Sequence, residues 1–221
     1  MTHPLPALSL LESRVLGTLI EKERTVPDSY PLTLNALLSG CNQKTSRDPV
    51  LQASETEVQA ALDSLKHGNL VLESSGGRVS RYAHNAERVL QLPTQSTALL
   101  AALMLRGPQT AGELRIACER LHRFADISAV EGFLNELAAR PAGALVSELA
   151  RLPGARENRW AHLLSGTPAP EAPPAAAQEG AADVPPGELA ALKADVARLE
   201  SELVGLKALV EQISAELARR G

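Results

Sequence analysis

The chain has 221 residues, a formal net charge of -4 and only 2% aromatic residues, enough for one large or two small domains whose cores must be Leu, Ala and Val packed between helices. That balance offers no general attraction to nucleic acid or to anionic membranes. Two cysteines with no CxxC spacing, Cys41 and Cys118, read as buried free thiols in a reducing compartment; with no signal peptide in residues 1–6 and no apolar run approaching eighteen residues, a cytoplasmic protein without membrane contact is expected.

Taken in chain order, Ser9-Leu10-Leu11-Glu12 is a capping box, opening a helix whose Leu11, Val15, Leu16, Leu19 and Ile20 share one face. Glu21–Arg24 reads as its solvated end. Pro31, in a first-turn position, opens a second helix through Leu38. A polar loop, Cys41 to Pro49, precedes a second capping box at Ser54 and Glu57. The helix it starts carries Val58, Ala61, Leu62 and Leu65 at helical spacing and stops at Gly68-Asn69. Leu70–Glu73 and Arg78–His84 are predicted strands of a hairpin turning at Ser75-Gly76-Gly77.

The pattern then restarts. Helices are predicted over 95–106 and 111–121, and Val130, Phe133, Leu134 and Leu137 repeat the earlier stripe 72 positions on. Arg156–His162 matches Arg78–His84 at a shift of 78. Two matches in the same order imply an internal duplication. The predicted fold class is mainly α with small β-hairpins (α+β): a first winged helix in 1–92 and a second in 93–165. Residues 166–187, rich in Ala and Pro, read as a disordered linker. Residues 188–221 carry heptads, with Leu189, Val196, Leu203, Val210 and Leu217 at a and Leu192, Leu199, Leu206 and Ile213 at d. β-branched residues at alternate a positions with mostly Leu at d favour a parallel two-stranded coiled coil, hence a homodimer through the C-terminal helix.

Asn42-Gln43-Lys44 and Arg47-Asp48-Pro49, following Pro31–Leu37, closely resemble the signature of the YceH-like family of bacterial proteins. The similarity covers roughly residues 8–165, with Thr45-Ser46 in place of the expected Ser-Asn. The resemblance implies tandem winged helices and transfers no catalytic residue.

A winged helix suggests DNA binding with the helix from Ser54 in the major groove. Yet the outward positions are Glu55, Gln59, Asp63 and Lys66 on the first such helix and Asp126, Glu131 and Glu136 on the second, mostly carboxylates where phosphate contact needs Lys and Arg. Residues 1–165 hold 17 basic and 17 acidic side chains, so basic contacts would have to come from Lys44, Arg47, Arg78, Arg81, Arg156 and Arg159. The plainer alternative is that the hairpin arginines lay their stems over Tyr82 and Trp160. About fourteen residues separate Leu38 from Ser54, too many for a helix-turn-helix turn. Asn42, Gln43, Lys44 and Arg47 could there form an ordered contact surface, or the loop could cap its own helices through Asn42, Thr45 and Asp48. Cys118 and His122 alone make no zinc site. No phosphate loop or nucleophile elbow is present, so neither catalysis nor a cofactor is expected. The expected function is a non-enzymatic, DNA-associated or regulatory protein with weak, mostly backbone-directed DNA contacts; the alternative is a protein–protein adaptor using the acidic helices, the wings and the Asn42–Pro49 loop.

Overall fold

Ser9 starts the first helix by accepting from the Glu12 amide at 3.2 Å while donating its own amide to the Glu12 carboxylate at 2.6 Å, which satisfies two orphan donors at once. In this computed structural model, which describes residues 7–75, 79–151 and 154–167, that helix is α1 (Leu10–Thr25). It is followed by a 3-10 turn (Pro27–Ser29), β1 (Leu32–Thr33), α2 (Leu34–Cys41), α3 (Glu55–His67), β2 (Val71–Ser74) and β3 (Arg81–His84). Then come α4 (Ala86–Leu90), α5 (Thr94–Arg106), α6 (Ala111–Ala117), α7 (Ile127–Ala138), β4 (Val146–Leu149) and β5 (Arg159–His162). The protein is thus mixed α and β, with seven α-helices and small antiparallel sheets among the described residues. These residues all belong to one compact unit, Met1–Glu171. No described helix is long and apolar enough to cross a membrane. Arg78, nearly all of the predicted linker and the whole heptad segment lie outside the described residues.

The repeat reaches down to strand register. Val71 faces His84, Glu73 faces Tyr82 and Ser74 faces Arg81; in the second sheet Val146 faces His162, Glu148 faces Trp160 and Leu149 faces Arg159. β1 pairs with β3 through Leu32 and Tyr82, and Gln109 makes the matching bridge to Trp160. Thr33 and Thr110 cap α2 and α6, and Leu37 and Leu114 are both fully buried beneath them.

Leu16, Leu19, Leu62, Leu99, Leu103 and Leu134 are fully buried in a single continuous apolar cluster. Its centre is the packing of α1 on α5, the most extensive pairing among the described elements. Gly17 sets how closely they approach, since a Cβ there would lie 3.1 Å from Leu105 Cγ and 3.2 Å from Met104 Cβ. The core therefore runs unbroken across the 92/93 division.

The strand predicted from Arg78 begins at Arg81, and two helix boundaries move. Pro31 is not in the first turn of α2: Leu32 and Thr33 are held as a strand against β3, so the helix begins only where the Thr33 hydroxyl accepts from Ala36. The helix from Ala111 ends at Ala117 rather than Leu121, because Glu119 and Leu121 donate to Ile116 and Cys118 three residues back, which tightens the last turn.

Candidate functional site

Thirteen residues, 42–54, carry the chain from Cys41 to α3, and arginines hold them against the body. The Arg47 side chain is fully buried. Its Nε donates to Gly40 O at 3.1 Å and its Nη1 to Ser46 O at 2.9 Å. Nη1 and Nη2 also grip the Glu21 carboxylate at 3.1 and 2.6 Å, the bidentate geometry that makes such pairs strong. Burial pushes the Glu21 carboxyl upward, but the Arg47 hydrogen bond and charge, helped by Lys22, outweigh it and hold the group below its ordinary value. Arg14, also fully buried, donates to Cys41 O at 3.2 Å and Pro49 O at 2.7 Å, while its Nε has no partner among the described residues. Desolvation lowers its pKa, and the nearby Arg47 charge adds to this.

The rest of the loop is pinned from both sides. Asn42 donates to Ala53 O and accepts from Ala53 N, each at 2.8 Å. Asp48 N donates to Leu105 O at 2.8 Å, and Arg106 Nη2 donates to Ser46 Oγ at 2.8 Å. Gln43 accepts from Lys22 at 3.3 Å. The loop is thus tied to the body along its length, and the Arg47 side chain is buried against Glu21. Lys44, Thr45, Ser46 and Asp48 remain exposed.

The remaining predicted contacts are scattered. Arg81 is exposed and donates to Pro31 O at 2.8 Å, at the β1 edge of the first sheet. Arg156 is exposed beside Glu157 on the second hairpin. Arg159, half-buried, instead meets the loop across a cleft of about 490 Å³ lined by Ser46, Arg47, Asp48, Arg106, Gln109, Glu113 and Ile116. Sequence reasoning missed Arg14, Glu21 and Arg106 as members of this region. The available signal was Arg14, a charge set among apolar residues in the middle of α1.

The outward faces of α3 and α7 are poor in cation. Lys66, the one lysine of α3, bonds Asp63 at 2.8 Å and Glu73 at 2.7 Å, and these hydrogen bonds hold its ammonium above the ordinary range. Glu55, Thr56, Ala60 and Ser64 stay exposed on α3, and Ser128, Glu131, Asn135 and Glu136 on α7. Three arginines absent from the sequence reading, Arg115, Arg120 and Arg123, are exposed on α6 and the turn after it.

The thiols are chemically quiet. Burial pushes Cys41 up to about 11 and Cys118 up to about 12, so neither supplies a thiolate near neutral pH. Among the described residues, no group of three or more His, Cys, Asp or Glu side chains is placed to hold a metal ion. His84 and His162 occupy equivalent strand ends but differ. His84 Nε2 lies 2.9 Å from Glu23, whereas His162 Nδ1 is buried without a partner among the described residues and burial pushes that ring down to about 4.

These features define a duplicated protein of helices and small hairpins whose distinctive polar chemistry is an arginine-latched loop. The chain belongs to the family described as "Protein of unknown function, DUF480", which matches residues 8–155 and is the YceH-like family that the loop motif resembles. It is 60% identical over 220 residues to a UPF0502 protein of Dechloromonas aromatica, covering 98% of this chain and all of the relative. A UPF0502 protein of Burkholderia vietnamiensis is 57% identical over 211 residues, covering 95% of this chain and 89% of the relative.

Proposed function

We propose that each repeat is a winged helix and that the tandem pair is a non-enzymatic, cytoplasmic adaptor that binds another protein. The order helix, helix, helix, hairpin in each repeat supports the winged-helix reading. The observation that carries the adaptor reading is the outer face of α3 and α7, where Glu55, Glu131 and Glu136 are exposed and Lys66 is bound to two carboxylates. A groove-docked helix of that kind would set carboxylates against phosphates, which cations must neutralise for affinity.

The test uses full-length protein and a DNA duplex at about 50 and 200 mM salt. The adaptor reading expects dissociation constants weaker than about 10⁻⁴ M at both, whereas non-specific binders commonly reach 10⁻⁶ M. A photo-reactive residue at Ser128 should cross-link to protein and not to nucleic acid. Tight, salt-steep duplex binding would overturn it.

One observation favours the second reading, weak backbone-directed DNA contact: Arg115, Arg120 and Arg123 are exposed and make no ion pair among the described residues. If DNA is the ligand, replacing all three with Ala should weaken binding on every sequence alike and flatten its salt dependence. The C-terminal heptads would add a homodimer to either reading.

A further inference from the structure

The two repeats differ most beside the ends of α2 and α6. Cys41 and Cys118 are equivalent residues, yet thirteen residues follow Cys41 before α3 and only eight, 119–126, follow Cys118 before α7. In the first repeat the longer loop turns back, and Arg47 covers Gly40 by donating to its carbonyl. In the second repeat Ala117 stands where Gly40 does and Ile116 where Ser39 does. There Ile116 is 72% exposed, at the position where the first repeat exposes a polar Ser39.

Ile116 does not simply face open solvent. It forms one wall of the cleft of about 490 Å³ whose opposite wall, Ser46 to Asp48, belongs to the first repeat's loop. That volume lies within the range of about 300–1,000 Å³ typical of ligand sites. The floor is satisfied: Gln109 exchanges main-chain hydrogen bonds with Trp160, and its side chain donates to Ala102 O at 3.4 Å.

The charges around the cleft are unequally committed. Arg47 is neutralised by Glu21, while Asp48 beside it is exposed on the same wall. The Glu113 carboxylate is tied into the α6 cap by Thr110 N at 2.8 Å and Thr110 Oγ1 at 3.1 Å. Arg106 is different. Its one hydrogen bond is to a neutral hydroxyl, Ser46 Oγ, and it makes no ion pair among the described residues. Arg120, in the turn that follows α6, is exposed and makes no ion pair among the described residues.

The geometry points to this cleft as the docking site for a short acidic segment of a partner protein, with an Asp or Glu side chain on Arg106 and a neighbouring large apolar side chain on Ile116. This rests on the adaptor reading and gives it a site and a partner chemistry. An apolar anchor beside guanidinium groups able to take carboxylates is a common arrangement at the centre of protein interfaces.

The experiment is fluorescence polarisation of full-length protein with three labelled peptides of equal length. Their centres are Asp-Glu-Leu-Leu, Lys-Lys-Leu-Leu and Asp-Glu-Ala-Ala. The first should bind at least about tenfold more tightly than the other two, a difference of about 1.4 kcal/mol. Arg106→Gln and Ile116→Asp should each weaken it at least about fivefold without changing the melting temperature, whereas Glu136→Gln on α7 should leave it unchanged. Should either variant lose stability, Arg106→Lys and Ile116→Ser take its place. Equal binding of the three peptides, no binding of any, or binding that survives both substitutions overturns the site. The adaptor reading fails on a separate result, the duplex-DNA measurement above.

Discussion

A single arginine holds the polar loop to the body, through Gly40 O and the Glu21 carboxylate. Removing a buried partner leaves the other charge uncompensated, which costs about 3–5 kcal/mol. Glu21 keeps 15% of its side-chain exposure, so Arg47→Ala should fall at the lower end of that range in urea melts, and adding Glu21→Gln should cost less than the sum of the two. Because folding lowers the Glu21 pKa from its ordinary 4.5, the latch's contribution is present above about pH 4.5 and lost as pH falls through the folded value. His162 acts in a higher window. Its folded pKa of about 4 lies below the ordinary 6.5, so the unfolded chain binds its proton first and stability declines from pH 6.5 towards pH 4. His162→Gln should flatten that decline and leave the steeper one below pH 4.5. At this scale the sequence was half legible. Composition marked Asn42–Pro49 as dense in donors and acceptors, but the direction of Arg47 depends on Glu21, 26 positions away, which looked like part of a solvated helix end.

Elements were more legible, because caps and apolar periodicity are local. Ser9 with Glu12 and Ser54 with Glu57 form the reciprocal bonds their spacing implied, and Val58, Leu62 and Leu65 are buried as the stripe required. Pro31 misled, because the pairing of Leu32 with Tyr82 joins residues 50 apart and leaves no local trace. Close packing of α1 against α2 was equally hidden. Gly40 abuts Thr18, and a Cβ there would sit 2.7 Å from Thr18 Cγ2. Gly40→Ala should therefore destabilise by about 1–3 kcal/mol through overpacking. Thr18→Ser, which removes that methyl and keeps the hydroxyl, should restore most of the loss in the same thermal melt.

For the whole molecule, the duplication was readable from sequence and the sharing of a core was not, since periodicity says which face is apolar but not which neighbour covers it. Tandem repeats with independent cores would melt in two steps. The continuous cluster through α1 and α5 predicts one cooperative transition, in which Leu62→Ala and Leu134→Ala each cost about 2–5 kcal/mol and shift the same midpoint. Fragments 1–92 and 93–165 should each fail to fold alone; a sigmoidal urea melt from either would sink this prediction.

The pairing of α1 with α5 brings an element against its own counterpart, which is what a twofold axis produces between separate subunits. Here a covalent tether replaces the collision of two chains, at an effective concentration on the order of millimolar or above. Dilution therefore cannot separate the halves. The melting midpoint of a fragment covering residues 1–165 should be the same across two decades of protein concentration, and any dependence seen in the full chain reports on residues beyond that body.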